Sequence, residues 1–154
     1  MIIPLSDVVY DSRARDGTWC TLTYPNHPKG CPNFPDCCES RPSFEEYSGF
    51  KWIAVIEKFD LKSHAKMMKE KHPKWSERQC KNLLYWQSGV RYRLRKKAES
   101  ITYPVMGDVL LDIPEAKGVN LFATMAKHGL FLKSNPVYVH KIMLVGKFDI
   151  NGEM

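Results

Sequence analysis

Most of the signatures that name an enzyme at sight are missing from this chain. There is no glycine-rich phosphate loop, no HExxH helix, no GxSxG elbow and no deaminase signature, which removes the common nucleotide hydrolases, zincins, serine hydrolases and base deaminases. No apolar run approaches the roughly 18 residues of a membrane span. The opening MIIPLSDVVYDSRARDG lacks a basic stretch followed by a long apolar core, so a cytoplasmic protein with no membrane partner is the simplest expectation. Internal repeats and low-complexity tracts are absent as well.

What remains is an ordinary globular composition: 154 residues, 44% hydrophobic and 26% charged. That length suits a single domain with one core, and this composition argues against a disordered chain. The formal net charge is +6, which favours a polyanionic partner such as a nucleic acid or nucleotide.

Cysteine is unevenly spread. Four of the five, Cys20, Cys31, Cys37 and Cys38, fall within residues 20–38, in CTLTYPNHPKGCPNFPDCC, and His27 lies among them. Residues 1–49 are rich in Pro, Gly, Asn and Asp and have no helical or strand period beyond a short predicted strand within Ile2–Tyr10. Loops longer than about 12 to 15 residues are uncommon in compact domains, and a bound metal supplies the missing cross-link. A reducing compartment and an odd cysteine count disfavour disulfides.

The spacing is not that of a zinc finger, whose ligands come as two close pairs. Iron–sulfur clusters tolerate wider spacing, and Cys31-Pro32 has the cysteine-proline step frequent in cluster loops. The expectation is therefore an iron–sulfur cluster, [4Fe–4S] by preference, with zinc as the alternative. Cys37 and Cys38 are neighbours whose side chains diverge in an extended chain, so one ligates and the other packs. Cys80 is either a small buried hydrophobe or the fourth ligand. His27 is a loop residue, a partner to a ligand or itself a ligand. With three cysteines one iron stays open, which separates catalysis from electron transfer. No catalytic residue is singled out; Glu45, Glu46 and His27 are merely near the cysteines.

Residues 50–154 read as an α+β core: a small sheet with about three helices. FKWIAVIEKFD (50–60) and YVHKIMLVGKF (138–148) are β-rich and should pair, and 108–113 is a third, shorter strand. Asp60 caps a predicted helix from Leu61 to about Lys71, closed by His72-Pro73. Ser76 and Gln79 match a capping box opening a second helix that is predicted to run to about Glu99. GVNLFATMAKHG reads as a third helix, ended by Gly129. His64, His72, His128 and His140 show no metal-ligand spacing.

The last turns of the long predicted helix carry Arg91, Arg93, Arg95, Lys96 and Lys97. Such a cluster is either a solvated face favourable at a helix C-terminus or a nucleic-acid-binding surface, with Trp75, Tyr85, Trp86 and Tyr92 as stacking candidates.

CTLTYPNHPKGCPNFPDC followed by RPSFEEY, together with EAKGVNLFATMAKHGLFLKSNPVYVHKIMLVG, resembles a family of predicted metal-binding proteins over about half the chain. The resemblance implies metal or iron–sulfur binding by Cys20, Cys31 and Cys37, with Cys38 competing for the third place. Members of that family carry further cysteines before the GVNLF-like helix, whereas PVMGDVLLDIPEAKG has none. Two functions follow as expectations: a cluster protein in sulfur, nucleotide or tRNA modification, with a lyase or desulfidase-like activity if it is an enzyme, or a zinc-stabilised nucleic-acid-binding protein.

Overall fold

Two strands of 11 residues, β2 (Phe50–Asp60) and β4 (Tyr138–Phe148), pair antiparallel along their whole length, with Phe50 opposite Phe148 and Asp60 opposite Tyr138. They form the centre of a four-stranded antiparallel sheet in the order β1-β2-β4-β3, whose edges are short: β1 is Ile2–Leu5 and β3 is Val109–Leu111. The computed structural model describes residues 1–11, 47, 49–133 and 137–148. Cys20, His27, Cys31, Cys37, Cys38, Glu45 and Glu46 lie outside the described residues.

The central strands are apolar on both faces because both are covered. On one face Trp52, Ala54, Ile56, Ile142 and Leu144 pack with Leu111, Val119, Leu121 and Met125, the last two from α4, which is Leu121–Ala126 once the other helices are counted in chain order. Those others are α1 (Leu61–Lys71), α2 (Glu77–Cys80) and α3 (Gln87–Ser100). The opposite face sets Val55, Met143 and Val145 against Leu94 and Ala98 of α3. Val90, Leu94 and Ala98 recur at intervals of four, so they share one stripe, and none is more than 1% exposed. Full burial of each larger apolar chain stabilises by about 1.5–3 kcal/mol.

Helix α1 starts where Asp60 accepts hydrogen bonds from the Ser63 amide at 2.9 Å and the Ser63 hydroxyl at 2.8 Å. It ends at His72, ahead of Pro73, as the sequence predicts. The capping box at Ser76 and Gln79 forms with both of its bonds, at 3.2 and 2.7 Å.

The helix it opens does not reach Glu99. α2 stops at Cys80, a 3₁₀ turn follows at Leu83–Tyr85, and α3 begins afresh at Gln87. Asn82 is the reason: its side chain accepts from the Leu84 amide at 3.0 Å and caps the turn. Trp86 adds a second cause, since its buried indole N–H needs an acceptor and takes the Lys81 carbonyl at 3.0 Å. The described residues therefore hold four α-helices where about three were expected.

The predicted strand over Ile2–Tyr10 is shorter than expected and splits in role. Beyond Leu5 the chain leaves the sheet and runs beside α4: the Val9 amide donates to the Thr124 hydroxyl at 3.0 Å, and the Asp11 amide donates to the Gly118 carbonyl at 2.7 Å. Gly118 has φ +96, and a Cβ there would come within 2.3 Å of the Tyr10 ring, so only glycine permits this approach. Among the described residues, no helix is long and apolar enough to cross a membrane.

Candidate functional site

The two ends of the sheet differ in chemistry. At the Phe50 end the chain departs into residues 12–46 and returns at Tyr47, whose ring meets Phe50 and Trp52 edge-on, both at 5.9 Å. Val8 on the outgoing side and Tyr47 on the returning side pack against the same core cluster. Beside them an open cleft of about 320 Å³ is lined by Leu5, Ser6, Asp7, Val8, Phe50, Lys51 and Trp52.

His128 reaches this edge. Its Nδ1 lies 2.7 Å from the Thr124 carbonyl, an obligate acceptor, so Nδ1 carries the proton and Nε2 is the acceptor. Nε2 accepts from the Ser6 amide at 2.9 Å and lies 3.1 Å from the Ser6 hydroxyl. Because the backbone N–H already takes the lone pair, the pair fastens residues 6–11 to α4 and does not supply a free base. Lys127 and Asp7, 2.5 Å apart, tie the same two segments.

At the other end, Trp86 stacks on Phe59, with ring centroids 4.9 Å apart and planes 10° from parallel. The Lys81 carbonyl is bonded to that indole, so Cys80, at the end of α2, sits at the Asp60 end of the sheet. It forms no disulfide among the described residues, and only 1% of the residue is exposed. Phe50 and Phe59 are nine strand residues apart, about 30 Å at the usual rise. Among the described residues, no three His, Cys, Asp or Glu side chains come together as a metal-holding group.

The predicted basic tract is on α3, and most of it is bound to the protein's own carboxylates. Arg93 reaches Glu57 of β2 at 3.4 Å, and Lys97 bonds the other oxygen of the same carboxylate. Arg95 pairs with Asp112 at 2.7 Å. Lys96 lies over the Tyr92 ring, 5.4 Å from its centroid. Burial pushes the Glu57 carboxyl up, but the hydrogen bonds and charges of Lys97 and Arg93 outweigh it and hold the group below its ordinary value.

Arg91 faces a different environment. Burial raises the Glu115 carboxyl against the pull of Lys141 and Arg91, and burial lowers the Lys141 ammonium, with Arg91 adding to that effect and Glu115 opposing it. Arg91 of α3 thus feels Glu115 in the 3₁₀ turn at Pro114–Lys117 and Lys141 on β4. Of the aromatic stacking candidates, Trp86 is buried in the core, whereas Tyr85 and Tyr92 are 51% and 64% exposed.

Most of the described cations without a carboxylate ion pair lie elsewhere. Residues 62–81 hold seven Lys and Arg against two Glu, most of the chain's +6. Lys66, Lys71, Lys74 and Arg78 make no ion pair among the described residues; Lys81 pairs with Glu77 at 2.8 Å. The Lys69 ammonium donates to the Trp75 carbonyl at 2.6 Å, which folds the segment after α1 back against the helix. Trp75 stacks on His72 at 3.8 Å and meets Tyr85 at 5.3 Å. The sequence signal for this arm was present, but its charges are spread over twenty residues and not crowded into seven.

No family model, no curated protein and no solved structure matches this chain.

Proposed function

We propose that the chain binds an iron–sulfur cluster, [4Fe–4S] in kind, through Cys20, Cys31 and one of Cys37 and Cys38. The support is the concentration of four cysteines in residues 20–38 at wide, irregular spacing with a cysteine-proline step.

The observation that bears on the ligand set is the position of Cys80. It is buried at the Asp60 end, about 30 Å along β2 from Phe50, beside which Tyr47 packs. A ligand must present its sulfur to the metal, and Cys80 instead behaves as a small core residue. That favours a three-cysteine site, with His27 or an exogenous ligand in the fourth place. When bound, such a cluster supplies a Lewis-acidic iron. The activity that fits is a lyase or desulfidase-like reaction on a sulfur-bearing nucleotide or tRNA.

Anaerobic purification with iron and acid-labile sulfide analysis tests this reading. A brown protein with about four irons per chain is expected, with Cys80→Ser retaining them and Cys31→Ser losing them. A colourless protein with one zinc overturns the cluster and favours the second reading, a zinc-stabilised nucleic-acid-binding protein without catalytic activity. The unpaired cations of residues 62–81 favour a polyanion partner in either case.

A further inference from the structure

We infer that α1, α2 and the turn after them form a docking surface for single-stranded nucleic acid. Unpaired Lys66, Lys74 and Arg78 hold phosphates, and Tyr85 offers a ring on which a base stacks. This surface is distinct from the tract on α3 that the sequence pointed to.

Charge decides the location. Phosphate binding favours cations that are not already paired, because each Lys or Arg that neutralises a phosphate releases counterions from the nucleic acid and adds to affinity. On α3, Arg93, Lys97 and Arg95 are held by Glu57 and Asp112. Along α1, Lys62, Lys66 and Lys69 follow at spacings of four and three, so they lie on one helix face. Lys69 bonds the Trp75 carbonyl, and that stripe therefore leads to the aromatic row of His72, Trp75 and Tyr85. Lys71 and Lys74 flank His72 in sequence, and Arg78 opens outward from α2.

The aromatics decide the kind of nucleic acid. A ring exposed beside cations suits unpaired bases, which offer a π-face, whereas a duplex keeps its faces stacked internally. Tyr85 is 51% exposed and Leu84 beside it 74%, so a base can reach the ring. Trp75 is covered on one side by His72, with planes only 9° apart, and acts as the support of the row.

The test is fluorescence anisotropy of the full chain with fluorescein-labelled oligo(U) and oligo(dT), repeated across a salt series. The triple variant Lys66→Gln, Lys74→Gln, Arg78→Gln should lose about tenfold or more in affinity and flatten the salt slope by about 2. Tyr85→Ala should weaken binding about five- to 150-fold, and Tyr85→Phe should restore it. Arg95→Gln on α3, a cation already held by Asp112, should bind as the parent does. Circular dichroism melts establish that each variant is folded.

No binding by the parent chain, or a triple variant with unchanged affinity and slope, overturns the inference. So does a parent chain whose oligonucleotide is displaced equally by anionic phosphatidylserine vesicles while Tyr85→Ala binds normally, because a membrane surface is then the partner. The inference does not depend on the cluster: iron is measured on the same preparations, and loss of iron with binding intact overturns only the cluster proposal.

Discussion

The indole of Trp86 lies flat on the ring of Phe59 while donating its N–H to the Lys81 carbonyl, so one side chain joins the sheet, the end of α2 and the start of α3. This contact holds Cys80 inside the fold. The residue is only 1% exposed, which suits the packing role proposed for it above.

Cys80→Ala should therefore leave metal content unchanged while lowering stability by about 1 kcal/mol, the scale of a small void in a core. Urea denaturation alongside metal analysis checks both halves. Loss of metal in a variant that remains folded would show Cys80 to be a ligand.

Leu94 is 1% exposed on the face of α3 that meets Val55 and Met143. Leu94→Ala should cost about 2–5 kcal/mol in equilibrium urea unfolding. Leu84→Ala, at a site 74% exposed, should stay within about 0.5 kcal/mol of the parent. Equal effects at the two sites would mean that α3 is not seated on the sheet as described.

Glu57 is held below its ordinary carboxylate value by Lys97 and Arg93, against the opposing effect of burial. A depressed carboxylate contributes stability that is complete above its unfolded value and is lost as pH falls through the folded one. Glu57→Gln should thus cost about 1 kcal/mol at neutral pH, discounted because both cations are half exposed and can rehydrate, and should flatten the stability profile below pH 4.5. Melting temperatures taken from pH 3 to 7 read the difference. The same substitution frees two cations, so it should also strengthen oligonucleotide binding at low salt.

His64 and His140 are lowered as well, but because burial disfavours their charged form. Burial lowers both below the usual 6.5, with Lys71 adding to the effect on His64 and Lys58 on His140. Among the described residues, Nε2 of His64 is buried without a hydrogen-bond partner. The unfolded chain binds these protons first, so stability falls as pH drops from 6.5 toward the lower folded-state values. His64→Gln should reduce that fall in a thermal melt series between pH 7 and 5. A variant whose profile tracks the parent throughout would remove His64 as its source.

The two long strands were legible because they are rich in β-branched and aromatic residues over 11 positions, and the observed bounds, Phe50–Asp60 and Tyr138–Phe148, are those read from the sequence. Asp60, Ser76 and Gln79 were legible for a local reason: a cap acts within four residues. The break at Asn82 was not, since the periodicity of apolar residues continues through it and the competing bond comes from the Trp86 indole. The neutralisation of α3 was also hidden, because Glu57 is 36 and 40 residues from its partners Arg93 and Lys97, and Asp112 is 17 from Arg95. Counting charges along the chain located basic residues correctly but could not tell spent cations from available ones. The cysteines that motivate the cluster lie outside the described residues, so their spacing still carries that proposal.

The length of β2 acts as a ruler between two chemistries. Tyr85 and its cations stand near one end of the strand, and Tyr47, where the cysteine segment rejoins the core, stands near the other, about 30 Å away. A mononucleotide cannot bridge that interval. A fully stacked strand gripped at Tyr85 needs about nine nucleotides, at roughly 3.4 Å each, to touch the Tyr47 end, so oligonucleotide length becomes a measure of whether the two ends work on one molecule.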